Sequence, residues 1–266
     1  MEKMDASRLA ALNRGEVEAR NLAECLAINQ SVLLKTVLSE IGMSKTADSV
    51  FAMADLSGTE GISHKMAKIG MALREALGNE RYKEQIMQKM ALHPSDTVRS
   101  WAAFVVARAA DGMALEERLA AVRAFAADTH FGVREWAWMA TRPYLAADIA
   151  QAIRCLTPWT ADGDANIRRF SVESIRPRGV WCEHIKELKE CPWQAEALLD
   201  RLHADSSRYV QDSVSNWIND ASKSQPKWAQ QLCERWSKNA DGYSKRIISR
   251  ALRTLSKKET SRQTTR

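Results

Sequence analysis

The sequence predicts an all-α protein in which antiparallel helix pairs repeat along the chain and stack into a solenoid. A helix-opening phrase recurs at nearly regular spacing. Only six prolines and eleven glycines occur among 266 residues, and no stretch alternates apolar and polar residues as a half-buried strand does. No linker rich in Pro, Gly or Ser interrupts the chain, so we expect a single domain.

The recurring phrase has a β-branched or small residue near a helix start, usually followed by a basic residue. Its five equivalent positions are Val98, Val133, Ile167, Val210 and Ser244. They are separated by 35, 34, 43 and 34 residues, a period typical of helical solenoids. In such proteins each helix pair buries one face against its neighbours. Coincidence among capped amphipathic helices is the alternative, and five phased occurrences make it the weaker one.

An aspartate precedes most of these phrases, as Asp96 precedes Val98, and we expect it to cap the helix. The pattern resembles HEAT repeats, in which Asp followed by Val-Arg opens the second helix of a pair. Further helices are predicted between the phrases, from Leu115 to Phe125 and from Ala146 to Leu156. The resemblance implies a HEAT-like solenoid of antiparallel helix pairs with a concave groove.

The solenoid is expected to occupy residues 1–255, with N-terminal helices in 1–80 and the phased repeats in 81–255. Residues 256–266 are polar and basic and lack an apolar anchor, so we expect a disordered tail there. No apolar run approaches the length of a membrane span, and the first twenty residues are charged throughout, unlike a secretory leader.

Net charge, cysteines and histidines indicate which partners and cofactors the protein is expected to have. The net charge is +6 with a pI near 9.1, which is consistent with a polyanionic partner. Five cysteines without CxxC spacing indicate reduced thiols and a cytoplasmic protein. The histidines lack metal-ligand spacing and no nucleotide-binding loop occurs, so neither a metal nor another cofactor is expected.

The segment from Ile167 to Trp181 has the most unusual composition in the chain. It holds four arginines, one carboxylate and one tryptophan within fifteen residues. Glu173 is that carboxylate, and it lies between Phe170-Ser171-Val172 and Ser174-Ile175, among mostly apolar neighbours. Arginines that bind a phosphate backbone, beside an acid that stabilises a cation, would suit an enzyme acting on nucleic acid.

Three segments together resemble the AlkC branch of the AlkC/AlkD-type DNA alkylation repair glycosylases. The segments are Leu12 to Ala27, Arg168 to Trp181 and Tyr209 to Lys223. The second is the most specific, with Arg-Arg, then Ser-Val-Glu-Ser-Ile-Arg-Pro-Arg and then Trp. The family consists of HEAT-like solenoids that remove alkylated bases from DNA, chiefly N3-methylated purines. The resemblance implies the same fold and double-stranded DNA with alkylated bases as the substrate.

The resemblance also implies site residues. Glu173, Asp220 and Trp181 fall on active-site positions of the family. A further family glutamate falls on Trp138 here, and Glu135, one helical turn earlier, is the candidate to replace it. The glycine that follows the catalytic glutamate in the family is Ser174.

These residue types suit the removal of a cationic base. Carboxylates stabilise an oxocarbenium sugar, and indole faces attract cations, so Trp136 joins Trp138 and Trp181 as a candidate substrate contact. Candidate DNA contacts are the arginines of the second segment, namely Arg168, Arg169, Arg176 and Arg178. Arg168 opens a repeat, where pairing with an aspartate of the adjoining repeat is also expected.

Structural roles remain open alternatives for most of these residues. Glu173 could form an ion pair with Arg176 or Arg169, Asp220 could be a helix-end acid, and Glu135 could be a first-turn acid. Tryptophans at helical spacing are usually core residues. The alternative function is a non-catalytic HEAT-repeat scaffold that binds DNA or protein. We expect a monomer that lies on the nucleoid when bound to DNA.

Overall fold

The structure is a computed structural model that describes residues 5–78, 81–108 and 112–257. These residues form helices and loops, and no strand occurs among them. Short 3₁₀ helices cover Ser44–Thr46, Thr157–Ala161 and Pro192–Ala195. The α-helices in chain order are α1 (Ala6–Arg14), α2 (Leu22–Ala27), α3 (Gln30–Ile41), α4 (Ala47–Ala54), α5 (Ile62–Gly78), α6 (Lys83–Ala91), α7 (Asp96–Ala107), α8 (Leu115–Ala126), α9 (Phe131–Ala147), α10 (Ile149–Leu156), α11 (Ala165–Glu173), α12 (Lys186–Glu190), α13 (Glu196–Asp200), α14 (Arg208–Ser222), α15 (Pro226–Ser237) and α16 (Gly242–Ala251).

The predicted repeat phase is confirmed in detail. Each of the five equivalent positions is the third residue of its helix, in α7, α9, α11, α14 and α16. Each side chain is buried, with an exposed fraction of 1% or less. The residues are Val98, Val133, Ile167, Val210 and Ser244. The period therefore reflects one recurring packing position at the start of the helix.

The described chain forms two compact units that divide between Thr141 and Arg142, inside α9. In the first unit α7 packs against α5, α6 and α8, with Trp101 fully buried. In the second unit α14 packs against α11 and α16, while α15 contacts both α14 and α16. In the second unit, the helices with the recurring phrase, α11, α14 and α16, thus contact one another in succession, as in a repeat protein.

The basic residue of the phrase has a recurring structural role in three repeats. Nη1 of Arg99, Arg134 and Arg168 donates to the carbonyls of the residues six and five positions earlier, at 2.6–3.1 Å. Arg99 also donates to both oxygens of Asp128 at 2.9 and 3.2 Å. Arg168 donates likewise to Asp205 at 2.6 and 3.1 Å. The expected pairing of Arg168 with an aspartate of the adjoining repeat is therefore confirmed, and Arg99 pairs in the same way.

The prediction that aspartates cap these helices holds only in part. Asp164 and Asp241 are N-caps whose carboxylates accept from the Asn166 and Ser244 N–H groups. Asp96 is instead the first residue of α7, and its Oδ1 accepts from the Ala19 N–H at 2.9 Å. The prediction is wrong for Asp96. Its carboxylate accepts from Ala19, far earlier in the chain, and the sequence around Asp96 does not reveal that donor.

Three other expectations concern the end of the chain, membranes and metals. Ser256 and Lys257 continue a short helical segment that begins at Arg253, and the rest of the expected tail, 258–266, lies outside the described residues. Within the described ranges, no helix combines the length and apolarity needed to span a bilayer. The same residues contain no cluster of His, Cys, Asp or Glu side chains suited to a metal ion.

Candidate active site

Two adjacent helices of the second unit position the predicted carboxylates. Glu173 is the last residue of α11, and Asp220 lies near the end of α14, which packs against α11. Arg176 follows α11 in the loop that leads to Pro177. Since α11 ends at Glu173, the loop can place Arg176 between the two helices and beside both acids.

Glu173 is held by three side chains. Its Oε1 accepts from Nη1 of Arg176 at 2.7 Å, and its Oε2 accepts from the Ser213 hydroxyl at 2.6 Å. Nη2 of Arg169 lies 3.7 Å from Oε2. The contacts fix both carboxylate oxygens, so the side chain has a defined orientation.

Asp220 shares Arg176 with Glu173. Its Oδ2 accepts from Nη2 and Nε of Arg176 at 2.7 and 3.1 Å, and its Oδ1 accepts from Nζ of Lys223 at 3.1 Å. One guanidinium thus bridges two carboxylates from different helices. We call these residues the carboxylate cluster: Arg169, Glu173, Arg176, Ser213, Asp220 and Lys223.

Both acids are buried, with exposed fractions of 5% for Glu173 and 4% for Asp220. Burial opposes the charge of Glu173, yet the charges of Arg169 and Arg176 and hydrogen bonds from Ser213 and Arg176 hold the pKa of its carboxyl below its ordinary value. Glu173 is consequently ionised at neutral pH. It can stabilise positive charge or orient a water molecule, but it cannot act as a proton-donating acid.

The loop after α11 is fixed by a buried arginine. Arg142 is 4% exposed and donates to the carbonyls of Ser174 (2.9 Å), Arg176 (2.7 Å) and Glu183 (3.0 and 3.2 Å). Burial lowers the pKa of Arg142 from its ordinary value. Its guanidinium ties together both ends of the segment that carries Trp181.

Trp181 has the backbone conformation that most residues avoid. Its φ is +62°, in the left-handed region that favours glycine, and its residue is 51% exposed. A conformation of this kind costs on the order of 1–3 kcal/mol and persists where the surrounding structure imposes it. The fixed loop presents the side of the chain that carries Trp181 to solvent.

The candidate DNA-binding arginines occupy different environments. Arg168 is engaged by Asp205, so the structure favours its structural role over a phosphate contact. Arg169 is buried with its guanidinium 4.2 Å from the ring centre of Tyr209. Arg178 is partly exposed, and it donates to the Asp220 carbonyl at 3.2 Å and to the Ser224 hydroxyl at 2.7 Å.

Arg176 is held by Glu173 and Asp220, which favours a role in positioning the acids. The contacts of Arg176 and Arg169 match the ion-pair alternative for Glu173. Phosphate contact by Arg169, Arg176 and Arg178 stays a prediction, and among the described residues Arg178 is the one of the three that pairs with no carboxylate of the carboxylate cluster.

The remaining predicted site residues lie in the first unit, on α9. Nε1 of Trp138 donates to Oε2 of Glu135 at 2.8 Å, and Trp138 is 3% exposed. Trp136 packs against Phe104 with ring centres 6.1 Å apart. These contacts are typical of core tryptophans. They also place Glu135 in contact with Trp138, which occupies the position of the family glutamate that Glu135 is the candidate to replace. A catalytic role for Glu135 and substrate contacts by Trp136 and Trp138 stay predictions.

Sequence reasoning did not assign roles to Ser213, Lys223 and Arg142. Ser213 lies on α14, and its contact with Glu173 is visible only once α11 and α14 are paired. Lys223 is the C-cap residue of α14 and lies three residues from Asp220, so helical geometry alone could have suggested that contact. Arg142 could have been found, because it is an arginine within an apolar stretch of a helix. Such a residue needs acceptors when it is buried.

The comparisons with known proteins agree with this fold. No protein-family model matches the chain. In sequence, the chain is 34% identical over 143 residues to the uncharacterized protein YhaZ of Bacillus subtilis (strain 168). That match covers 54% of this chain and 38% of YhaZ, so the chain spans well under half the length of this relative.

Three solved structures share the fold. The alkylpurine DNA glycosylase AlkC of Pseudomonas fluorescens, bound to DNA with an abasic-site analogue, has a TM-score of 0.68 and 24% identity, over 89% of this chain and 65% of AlkC. The chain has the helical-repeat fold of the AlkC and AlkD-type proteins. AlkD2 of Streptococcus mutans has a TM-score of 0.59 and 20% identity, over 77% of this chain and 96% of AlkD2. The structure of smu.31 from Streptococcus mutans UA159 has a TM-score of 0.54 and 19% identity, over 82% of this chain and 96% of smu.31.

Proposed function

We propose that the protein is a monofunctional DNA glycosylase that removes cationic, N-alkylated bases of the N3-methylated type from double-stranded DNA. The observation that carries this proposal is the convergence of Glu173 and Asp220 on one guanidinium. These two acids stand at the positions that the family resemblance assigns to the active site. The fold shared with an alkylpurine DNA glycosylase supports the same activity.

In the proposed reaction the bond between C1′ of the deoxyribose and the ring nitrogen of the base breaks, and the electron pair leaves with the base. An N3-alkylated purine is already cationic, so it departs as a neutral molecule without a proton from the enzyme. Water then forms the new C1′–O bond and releases a proton. Glu173 and Asp220 stabilise the oxocarbenium sugar by their charge and orient that water.

The other residues hold the site and the substrate. Arg176 and Ser213 fix the carboxylates, and Arg142 fixes the loop that presents Trp181. The exposed indole of Trp181 packs on the cationic base or sugar, and Arg178 contacts a flanking phosphate. No metal or other cofactor takes part in the proposed chemistry. The proposed setting is a cytoplasmic monomer on the nucleoid, in base excision repair.

A second candidate function is DNA binding without catalysis. The observation that favours it is that both acids are buried and paired. Three cations, Arg169, Arg176 and Lys223, surround two carboxylates, which gives the carboxylate cluster a net charge of +1. Such a cluster attracts phosphates more readily than it stabilises a cationic sugar. A protein-binding scaffold has no comparable observation in its favour.

Single-turnover excision separates the two functions. The purified protein is incubated with N-methylated duplex DNA, and the released bases are identified by mass spectrometry. Glu173→Gln retains the shape and removes the charge, so excision should fall roughly 100- to 1,000-fold while DNA binding stays near that of the wild type. A wild-type protein that binds this DNA and releases no base would be the non-catalytic protein.

Asp205→Asn provides the matched control. Asp205 is an acid of the same unit whose side chain is 6% exposed, and it pairs with Arg168 outside the carboxylate cluster. Both variants lose a buried charge, so thermal melts should show comparable destabilisation, and excision is assayed well below both melting temperatures. Equal loss of excision in both variants would assign Glu173 a structural role, and unchanged excision in Glu173→Gln would remove it from the site.

A further inference from the structure

A row of arginines follows the carboxylate cluster on the C-terminal side of the second unit. Arg246 and Arg250 lie on α16, and Arg253 follows it. All three contact α14 at positions one turn apart: Arg246 donates to Asp212 at 2.7 Å, and Arg253 donates to Asn216 at 2.9 Å. Asp220 is one further turn along the same face of α14, so the row continues directly from the carboxylate cluster.

The row has more positive charge than its partners neutralise. Arg246 and Arg250 share one carboxylate, that of Asp212, at 2.7 and 3.1 Å. The partner of Arg253 on α14 is an amide, and no carboxylate of the described residues lies within 4 Å of its guanidinium. Three guanidiniums against one acid leave a net charge of +2. An amide satisfies hydrogen bonds but does not neutralise charge.

The excess charge is accessible to an incoming ligand. The side chains of Arg250 and Lys223 are 43% and 40% exposed, whereas those of Glu173 and Asp220 are 6% exposed. The carboxylate of Asp212 is also 40% exposed, but two guanidiniums already share it, so an anion that approaches this face meets an excess of positive charge. Burial and the neighbouring charge of Arg250 lower the pKa of Arg253, so an anion at this position would relieve an existing repulsion.

We propose that Arg250 and Arg253, together with Lys223 at the end of α14, form a binding site for consecutive phosphates of a nucleic-acid strand. Arg246 and Arg253 are seven positions apart, which is about 10 Å at the helical rise and matches about three phosphates of one strand at ~3.4 Å each along the duplex axis. A single small anion would need one convergent pocket rather than an extended row. This site deepens the proposed function, because it binds the DNA next to the acids.

The test measures binding to an undamaged, fluorescently labelled duplex across a range of salt concentrations. Each phosphate contact adds about 0.9 to the slope of log affinity against log salt, so Arg250→Gln/Arg253→Gln should lower the slope by nearly two. Arg250→Lys/Arg253→Lys retains both charges and should keep most of the slope. Lys238→Gln, an exposed cation at the end of α15, is the matched control and should change it little.

An unchanged slope in the double glutamine variant, folded as judged by its thermal melt, overturns the site and would favour an acidic protein as the partner of this row. A decrease in slope equal to that of Lys238→Gln also overturns the proposed site, because the decrease would then reflect the net charge of the protein alone. The test uses undamaged DNA and needs no excision. A protein that shows the slope change and excises no base therefore keeps this site and refutes the glycosylase.

Discussion

Asp96 in the first unit and Glu173 in the second are both buried within networks of hydrogen bonds, and the two carboxylates are held in opposite ways. Asp96 in the first unit is 2% exposed and Glu173 in the second is 5% exposed. Burial raises the pKa of Asp96 above its ordinary value, while the arginines around Glu173 overcome burial and lower the pKa of that carboxyl. Burial is nearly equal, so the neighbouring groups decide the outcome.

The neighbours of Asp96 bind it mainly without charge. Its Oδ1 accepts from the Ala19 N–H at 2.9 Å, and Nδ1 of His130 lies 3.5 Å from Oδ2. That Nδ1 accepts from the Gly132 N–H at 3.1 Å, which places the ring proton on Nε2, where it donates to the Ala19 carbonyl. Asp96 therefore anchors an N-terminal segment, whereas Glu173 is kept charged among arginines. We therefore expect loss of the negative charge to destabilise the fold little at Asp96 and more at Glu173.

The largest expected effect comes from removing the guanidinium that both acids of the second unit share. Arg176→Met leaves Glu173 and Asp220 buried without their common partner, so the free energy of unfolding should fall by about 3–5 kcal/mol. Urea denaturation measures it. Adding Glu173→Gln to that variant should recover part of the loss, since one unpaired charge is then removed. Loss below about 1 kcal/mol in Arg176→Met would mean that water replaces the guanidinium without cost.

The two carboxylates should also give stability opposite dependences on pH. The pKa of Glu173 is lowered on folding, so its contribution is complete above its ordinary pKa and is lost as pH falls through the lowered value. The pKa of Asp96 is raised on folding, so as pH falls the folded state binds a proton at a higher pH than the unfolded state does. The contribution of Asp96 to stability is therefore largest in acid and is lost as pH rises through the raised pKa.

Urea midpoints from pH 3 to 7 test this pair of signs. Glu173→Gln should flatten the loss of stability in acid relative to the wild type, and Asp96→Asn should steepen it. The same direction of change in both variants would contradict the assignment of opposite pKa shifts. Asp205→Asn separates this effect from a general consequence of removing an acid.

The smallest expected effect is that of Asp96→Asn at neutral pH. Asparagine keeps an oxygen that accepts from the Ala19 N–H, and it removes a charge that burial disfavours. The free energy of unfolding should change by no more than about 1 kcal/mol. A loss near that of Arg176→Met would show that the charge of Asp96 is as necessary as that of Glu173, and the contrast between the units would disappear.

The repeat phase could be predicted from sequence because one packing position recurs in it. Val98 and Ile167 are both third in their helices and both fully buried, so the period of apolar residues reports the period of the fold directly. Pairing of Arg99 and Arg168 with aspartates follows from the same register. Such features depend on spacing along the chain, which the sequence contains.

The partners within the carboxylate cluster could not be predicted in the same way. Whether Arg176 meets a phosphate or two carboxylates depends on the path of the loop after α11, and that path is fixed by Arg142 through main-chain carbonyls. Any sequence supplies carbonyls, so no residue pattern reveals this contact. The bond between Glu135 and Trp138, by contrast, joins residues one turn apart and was within reach of helical geometry.

The exposure of Trp181 makes its intrinsic fluorescence a probe of ligand binding. Trp101, Trp138, Trp217 and Trp236 are at most 8% exposed, whereas Trp181 and Trp193 are about half exposed. Trp136, Trp159 and Trp228 are partly exposed. Iodide should therefore quench Trp181 and Trp193 most strongly, and Trp193→Phe leaves Trp181 as the most exposed emitter. Its left-handed backbone lies on a loop that Arg142 fixes through main-chain carbonyls. A ligand that covers this ring would shield it from the quencher, and one that binds elsewhere would leave the emission accessible.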